Sequence, residues 1–294
     1  MKTQTVSTLL REGVSILEHA GLPTSRQDAE WLLAHLLGVE RWALYLEPER
    51  PVTQAAGESF AGLLARRRQG EPLQHLLGWE EFCGIRLRVA PEALIPRPET
   101  ELLVEWALEI LRGSGVSERH GLVVDLGTGS GAIACALACS LPYVSVLGID
   151  ISAGALAVAA ENVRGLGLDR RVRLVRGDLF GPLAGTRRGC PEADLVIANP
   201  PYKASRQLGT LPVEVREHEP RQALDGGSGG MTLHWRIVSE APAYLRPGGW
   251  LLMEAGEGQA EPLARAINET GAFEAVEVRR DLSRIDRMIG ARRR

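Results

Sequence analysis

Leu122-Val123-Val124-Asp125-Leu126-Gly127-Thr128-Gly129-Ser130-Gly131 decides the fold class. Residues 122–125 read as a short strand, and the apolar run 132–141 as a helix. Glycines at 127, 129 and 131 between them allow positive φ and let a ligand approach the backbone closely. The helix that follows offers free N–H groups at its start. Working outward, residues 144–150 read as a strand, 153–164 as a helix, and 172–176 and 195–198 as further strands. A long irregular stretch follows Tyr202, then a helix over 231–244, a strand over 250–254, a helix over 259–270 and two strand-like tails. Alternating strands and helices imply a mostly parallel sheet covered on both faces. Internal repeats and low-complexity segments are absent from the sequence.

The second informative stretch is Asn199-Pro200-Pro201-Tyr202, which closes the apolar run Leu195-Val196-Ile197-Ala198 after Asp194. Two prolines after an asparagine stop a strand ladder and stiffen the backbone. The asparagine amide and the next carbonyls are then held at a strand's carboxyl end, where open α/β sheets place their ligands. The chemistry suits a planar NH₂ group: Asn199 Oδ1 and the Pro200 carbonyl can each accept one N–H, and Tyr202 can pack against the plane. Asn-Pro-Pro-Tyr resembles the signature of S-adenosylmethionine (AdoMet) methyltransferases acting on amide or exocyclic nitrogens. A turn with no chemistry is the bland alternative.

The glycine loop alone is ambiguous, because Gly127, Gly129 and Ala132 also fit the G-x-G-x-x-[GA] dinucleotide fingerprint. Asp150 ends the next strand about 20 residues on, where the ribose hydroxyls of either cofactor would be gripped. Two features favour AdoMet. Asp125 precedes the loop with the D-x-G-x-G-x-G spacing of class I methyltransferases, where a carboxylate helps hold the cofactor's ammonium through the loop or a water. Gly177-Asp178-Leu179 follows the third strand, where that family binds the adenine edge with an acidic side chain and packs its ring against a neighbour. Asp150 and Asp178 can each be ordinary strand-end acids. Their placement after successive strands, with Asn199 after the next, argues against coincidence.

The first seventy residues read as helices only. Residues 6–19 carry Leu9, Leu10, Val14, Ile16 and Leu17 on a roughly helical period. Ser25 is the expected N-cap of a helix over 27–37 that ends at Gly38. A third helix, 54–68, places Phe60, Leu63 and Leu64 on one side, with Gly70 at its end. No convergent catalytic side chains occur in this bundle, which reads as a substrate-docking or structural cap. Residues 72–89 turn strand-like, with a turn near Gly84, and suggest a β-hairpin linker. Leu94-Ile95-Pro96-Arg97-Pro98-Glu99-Thr100-Glu101 is then a proline-stiffened entry into a helix running to about residue 112. Glu99 and Glu101 suit its N-terminus, whereas Thr100 caps poorly so close to Pro98.

At 294 residues the chain exceeds one average domain. A net charge of −3 gives no electrostatic case for a bulk nucleic-acid binder, and the basic runs 66–68 and 292–294 read as solvated faces. Cys83, Cys135, Cys139 and Cys190 form no CxxC pair and no metal-ligand spacing, so no metal and a reducing, cytoplasmic setting are expected. No apolar run of signal-peptide or membrane-spanning type is found.

Taken together, these stretches resemble the protein-(glutamine-N5) methyltransferases of the HemK/PrmC type, which act on class-1 peptide chain release factors. The resemblance extends over nearly the whole chain. It includes the helical N-terminal region, the linker from Ile95 to Glu101, the glycine loop and Asn-Pro-Pro-Tyr. It continues through Ala223-Leu224-Asp225-Gly226-Gly227, Tyr244-Leu245-Arg246-Pro247-Gly248-Gly249 and the segment 281–287. It implies a class I AdoMet-dependent methyltransferase, Rossmann-like with a mostly parallel sheet, carrying a small all-α N-terminal domain and a β-hairpin linker. The implied division is 1–70 for substrate docking, 71–98 for the linker and 99–294 for catalysis, as a two-domain clamp with the site in its crevice.

By position, Gly127, Thr128, Gly129, Ser130, Gly131, Asp150, Asp178, Leu179 and Asn199 would contact AdoMet. Asn199, Pro200, Pro201 and Tyr202 would receive the substrate glutamine, with Asn199, Pro200 and Tyr202 catalytic. Relatives often have an aromatic ring where this chain has Leu179. The implied partner is a class-1 release factor, met by a cytoplasmic monomer without direct nucleic-acid or membrane contact. Its methylated glutamine would lie in a Gly-Gly-Gln motif. Lys203 and His218 are the nearest candidates for a general base, and both read as surface residues. Two other readings stay open, a glutamine methyltransferase of a ribosomal protein and a nucleic-acid adenine-N6 methyltransferase, whose flipped base presents the same NH₂ geometry.

Overall fold

The computed structural model describes residues 4–115, 120–186 and 192–294, so Cys190 lies outside the described residues. Two compact units emerge. The first runs to Trp79 and takes in Pro212–His218; the second holds Glu80–Leu211 and Glu219–Arg294.

The first unit is built on α1 (Val6–His19), α2 (Ser25–Leu37), α3 (Ala43–Leu46), α4 (Gln54–Arg68) and α5 (Leu73–Leu77). Its core gathers the apolar stripes of these helices, among them Leu9, Leu17, Leu32, Leu33, Phe60 and Leu64. Thr5 and Thr8 form a reciprocal capping box at the start of α1. Gly38 ends α2 in the left-handed conformation, as its sequence position suggests. Ser25 is not the cap. The helix begins at Ser25 itself, whose hydroxyl bonds the Leu22 carbonyl, while the Thr24 hydroxyl goes to Asp28 at 3.0 Å. Residues 73–77, read as strand-like, are helical. Their side chains Leu76 and Leu77 join the helical core, so packing overrides a short local pattern.

The second unit opens at Glu80, within the hairpin β1 (Trp79–Phe82) and β2 (Ile85–Arg88), whose strands are joined through Cys83 and Gly84, both at positive φ (49° and 74°). The helix α6 (Pro98–Gly113) starts with proline in its first turn, where the missing N–H costs nothing. Then come β3 (Gly121–Leu126), α7 (Ala132–Ser140), β4 (Val144–Asp150), α8 (Ala153–Gly165), β5 (Val172–Arg176) and β6 (Ala193–Ala198). The stretch after Tyr202 is less irregular than expected. It holds a 3₁₀ turn (Ser205–Thr210), the short α9 (Val213–His218), which clusters with the helical unit, and a second 3₁₀ turn (Arg221–Ala223). The helix α10 (Thr232–Glu240) is shorter than the apolar pattern suggested. Pro242, without an N–H, turns its last residues into a 3₁₀ segment. The chain closes with β7 (Leu245–Glu254), α11 (Ala260–Glu269), β8 (Phe273–Arg280) and β9 (Asp286–Arg293).

These strands form a seven-stranded sheet in the order β5-β4-β3-β6-β7-β9-β8. The pairs from β5 to β7 are parallel and those made by β9 antiparallel. Period-2 alternation sorts the strand residues between two cores. Val123, Leu195 and Ile197 point toward α6 and α7, whereas Val124, Val196 and Ala198 point toward α10 and α11. Strand order reverses on either side of β3. The carboxyl ends of β4, β3 and β6 therefore face one crevice, the position where such sheets bind ligands.

Candidate active site

Four loops leave the sheet at this crevice, each from a strand end identified in the sequence. After β3, Gly127 and Gly129 take φ of +71° and +56°, conformations a side chain rarely adopts. The N–H groups of Gly127 and Thr128 return to the Ile149 carbonyl at 2.8 and 3.1 Å, which binds the loop to the end of β4. Asp150 completes the tie. One of its carboxylate oxygens accepts from Gly129 N–H and the other from Ser152 N–H, both at 2.8 Å.

A cavity of about 200 Å³ opens above these loops. Gly127, Gly129, Asp150, Asp178, Leu179, Asn199 and Pro201 line it, so residues from four separate strand ends meet around one space. Apolar walls come from Leu94, Ile149, Ile151, Ala155 and Leu233. Thr128, Ser130, Gly131, Pro200 and Tyr202 do not line it. Thr128 and Ser130 are buried beneath the loop, and Thr128 Oγ1 donates to Asp125 at 2.6 Å. Asp125 itself is fully buried, and loss of solvent pushes its carboxyl up to about 7. It supports the loop from below. The Asp178 carboxylate forms a two-pronged ion pair with Arg236 of α10 at 3.0 and 3.1 Å. Leu179 sits in the left-handed region (φ 47°) at the cavity wall, and the next residue, Phe180, stacks on Tyr244 at 4.5 Å.

Asn199 follows the last residue of β6, and its side-chain Nδ2 donates to Thr100 Oγ1 at 2.9 Å. Thr100 in turn donates to Glu254 Oε2 at 2.7 Å, at the end of β7. Burial pushes Glu254 up to about 7 against the favourable field of Arg287. It also pushes the Tyr202 phenol up to about 12, with the Glu254 charge adding to the shift. The Tyr202 carbonyl is held by Gln259 Nε2 at 2.9 Å. Next to it, Lys203 pairs with Asp225 in a bridge. Lys203 N–H donates to Leu224 O, and Gly226 N–H donates to Lys203 O. A Cβ on Gly226 would lie 2.5 Å from the carbonyl oxygens of both Pro201 and Gly230, which explains glycine there. Lys203 Nζ lies 5.3 Å from the centroid of the Tyr202 ring, and His218 belongs to the helical unit.

Sequence reasoning missed several supports. Glu219, buried, accepts from Ile95 N–H at 3.3 Å and pairs with Arg97, and so anchors the proline-rich linker. Asn162, a lone amide in the alanine-rich α8, donates to the Ser130 and Arg88 carbonyls at 2.9 and 3.0 Å and accepts Arg88 N–H at 2.7 Å. Its polarity on an apolar helix was a usable signal. So was Glu254, an acid at a strand's carboxyl end like Asp150. Among the described residues no cluster of His, Cys, Asp or Glu is arranged to hold a metal ion, and no helix is long and apolar enough to cross a membrane.

The doubly covered sheet with a glycine loop at its switch point is a Rossmann-like α/β fold. The hMettl16 catalytic domain, solved in complex with MAT2A 3'UTR hairpin 6, shares it at a TM-score of 0.56 and 15% identity, with 84% of each chain covered. The methyltransferase small domain family matches residues 101–218, and the PrmC N-terminal domain family matches residues 8–78. The release factor glutamine methyltransferase of Geobacter sulfurreducens is 43% identical over 276 residues, 94% of this chain and 92% of that protein. That of Nitratidesulfovibrio vulgaris is 43% identical over 290 residues, 98% of this chain and 95% of that protein. The chain belongs to the release factor glutamine methyltransferase family.

Proposed function

We propose that this protein transfers a methyl group from AdoMet to the side-chain amide nitrogen (N5) of the glutamine in the Gly-Gly-Gln motif of class-1 peptide chain release factors. The observation that carries the reading is the Asn199 amide. It stands at the β6 carboxyl end beside the cavity, with Nδ2 engaged by Thr100 and Oδ1 left to accept an N–H. The names of the relatives support the substrate class.

The residues fit the cofactor. Positive-φ glycines at 127 and 129 leave backbone open to a ligand, Asp150 offers carboxylate lone pairs for ribose hydroxyls, and Leu94, Ile151 and Leu233 offer apolar contact to a ring. Asp178 and Leu179 stand where the adenine edge would lie. When bound, AdoMet supplies an electrophilic methyl on sulfur. The chain's own task is to make an amide nitrogen attack it. That nitrogen is a poor nucleophile because its lone pair is delocalised into the carbonyl. Asn199 Oδ1 and the Pro200 carbonyl accept its two N–H bonds and aim the lone pair, while Tyr202 packs on the amide plane. Orientation of this kind can lower a barrier by up to about 7–11 kcal/mol in ideal cases. The same acceptors oppose positive charge developing on nitrogen, so their pull grows in the transition state. The amide proton leaves afterwards, when the nitrogen has become acidic.

In this reading residues 1–70 dock the protein substrate, 71–98 link and 99–294 catalyse, in a monomer acting in the cytoplasm. The test incubates the purified protein with labelled AdoMet and a release factor, beside a Gln→Ala variant of its Gly-Gly-Gln loop. Label on the unmodified factor alone supports the reading. Label on neither, with AdoMet still bound, overturns the substrate and redirects the search to ribosomal protein or nucleic acid. Asn199→Ala is expected to reduce turnover by at least about a hundredfold with AdoMet binding retained. Tyr202→Ala should damage it less; wild-type rates in Asn199→Ala would refute the mechanism.

A further inference from the structure

A side-chain amide can adopt two orientations that exchange its oxygen and its NH₂ group. For Asn199 only one offers an acceptor to a substrate amide; the other sets NH₂ against NH₂. The structure contains a device that selects between them. Thr100 has one hydroxyl proton, and it is committed to Glu254 Oε2 at 2.7 Å. The side of Thr100 Oγ1 facing Asn199 is therefore lone pair, which Nδ2 satisfies at 2.9 Å and Oδ1 could not. We propose that Thr100 and Glu254 are positioning residues, which fix the direction of the chain Asn199→Thr100→Glu254 and so hold Asn199 Oδ1 toward the substrate. The inference rests on the proposed role of Asn199 as acceptor of the glutamine amide.

The device is well isolated from solvent. Thr100 and Glu254 are 4% and 1% exposed. Four other polar side chains face the carboxylate or its residue: Glu99 of α6, Tyr202 after β6, Arg287 of β9 and His234 of α10, whose Nε2 meets the Glu254 carbonyl at 2.9 Å. Arg287 favours the ionised carboxylate, whereas burial and the nearby Glu99 oppose it, and the outcome is a carboxyl raised to about 7. Burial lowers the His234 imidazole and raises the Tyr202 phenol to about 12, so both shift away from the titration of Glu254. A protonated Glu254 can donate to Thr100. The freed hydroxyl then donates to Asn199 Oδ1, the chain reverses, and Nδ2 turns to the substrate. Activity falls on acidification although no general base takes part.

Three variants test this, read by kcat and its pH profile, calorimetry and NMR. Thr100→Val keeps the shape and removes the hydroxyl; it should lower kcat about 10–100-fold, with AdoMet affinity by calorimetry unchanged within about twofold. Thr100→Ser, which restores the hydroxyl, should recover most of the rate. The wild-type kcat profile should show an acid limb near pH 7 that flattens in Thr100→Val and in Glu254→Gln. NMR of asparagine-labelled protein supplies a readout without substrate: the Asn199 side-chain amide signals should titrate through pH 7 in the wild type and not in Thr100→Val. An unchanged kcat in Thr100→Val, failure of Thr100→Ser to recover it, or amide signals identical in wild type and Thr100→Val would overturn the proposal. If the wild-type protein methylates no glutamine, the proposed function fails, and the amide signals still decide whether the chain sets the orientation of Asn199.

Discussion

Asp125 shows how a residue named in a motif acts through burial rather than contact. It is fully buried under the glycine loop, away from the cavity, with its carboxyl raised to about 7. Between about pH 4, where the unfolded carboxyl titrates, and pH 7, the folded state holds a proton that the unfolded state has lost. This group therefore makes stability fall as pH rises through that window. Asp125→Asn keeps an acceptor for Thr128 and removes the ionisation. The variant should lose less of its Tm between pH 5 and pH 8 than the wild type does, measured by thermal unfolding in matched buffers. An identical pH dependence in both proteins would mean that Asp125 carries its charge at no cost.

At the scale of elements, the loop after β3 is held by side chains from elements distant in sequence. Asn162 of α8 fastens Ser130 to the end of the β1–β2 hairpin with three hydrogen bonds. Asn162→Ala leaves the Ser130 carbonyl and both backbone groups of Arg88 without that partner, at about 1–3 kcal/mol for each group left buried and unpaired. The expected result is lower stability in urea together with weaker AdoMet binding measured by calorimetry. Stability loss with AdoMet affinity intact would place Asn162 in the scaffold alone. The strand–loop–helix order of this region was legible because each piece carries its own signal, apolar run, glycines, apolar run. The tie from α8 was not, because one asparagine in a helix does not reveal which carbonyl it will meet.

For the whole catalytic unit, the critical join is between the parallel strands and the antiparallel pair formed by β8 and β9. The helix α6 lies over it, and Trp106 is fully buried against β9. A Cβ added at Gly290 would fall 2.4 Å from Trp106 Cη2 and 2.8 Å from Leu252 Cδ2, with buried neighbours unable to yield. Gly290→Ala should therefore destabilise by about 1–3 kcal/mol or more, read as a Tm lower by several degrees, with the buried indole's fluorescence altered. A Tm unchanged from wild type would show that the indole can shift freely. The sequence marks neither partner: Trp106 reads as one more apolar helix residue, and Gly290 as a glycine in a strand-like tail.

By itself the sequence determined the alternation of strands and helices, the glycine loop, the strand-end positions of Asp150, Asp178 and Asn199, and the helical character of the first seventy residues. These depend on periodicity, backbone stereochemistry and stops made by glycine and proline, which act over a few residues. Only the tertiary structure decided that Thr100 meets Asn199 across 99 positions and Glu254 across 154, or that Glu219 meets Ile95 across 124. It also decided that Asp178 turns to Arg236. Such pairings follow from strand order and register, which arise when distant segments bury a shared core, and a hydroxyl or carboxylate in the sequence carries no record of its eventual partner. The motif supplied the amide at the site; the fold supplied the groups that orient it.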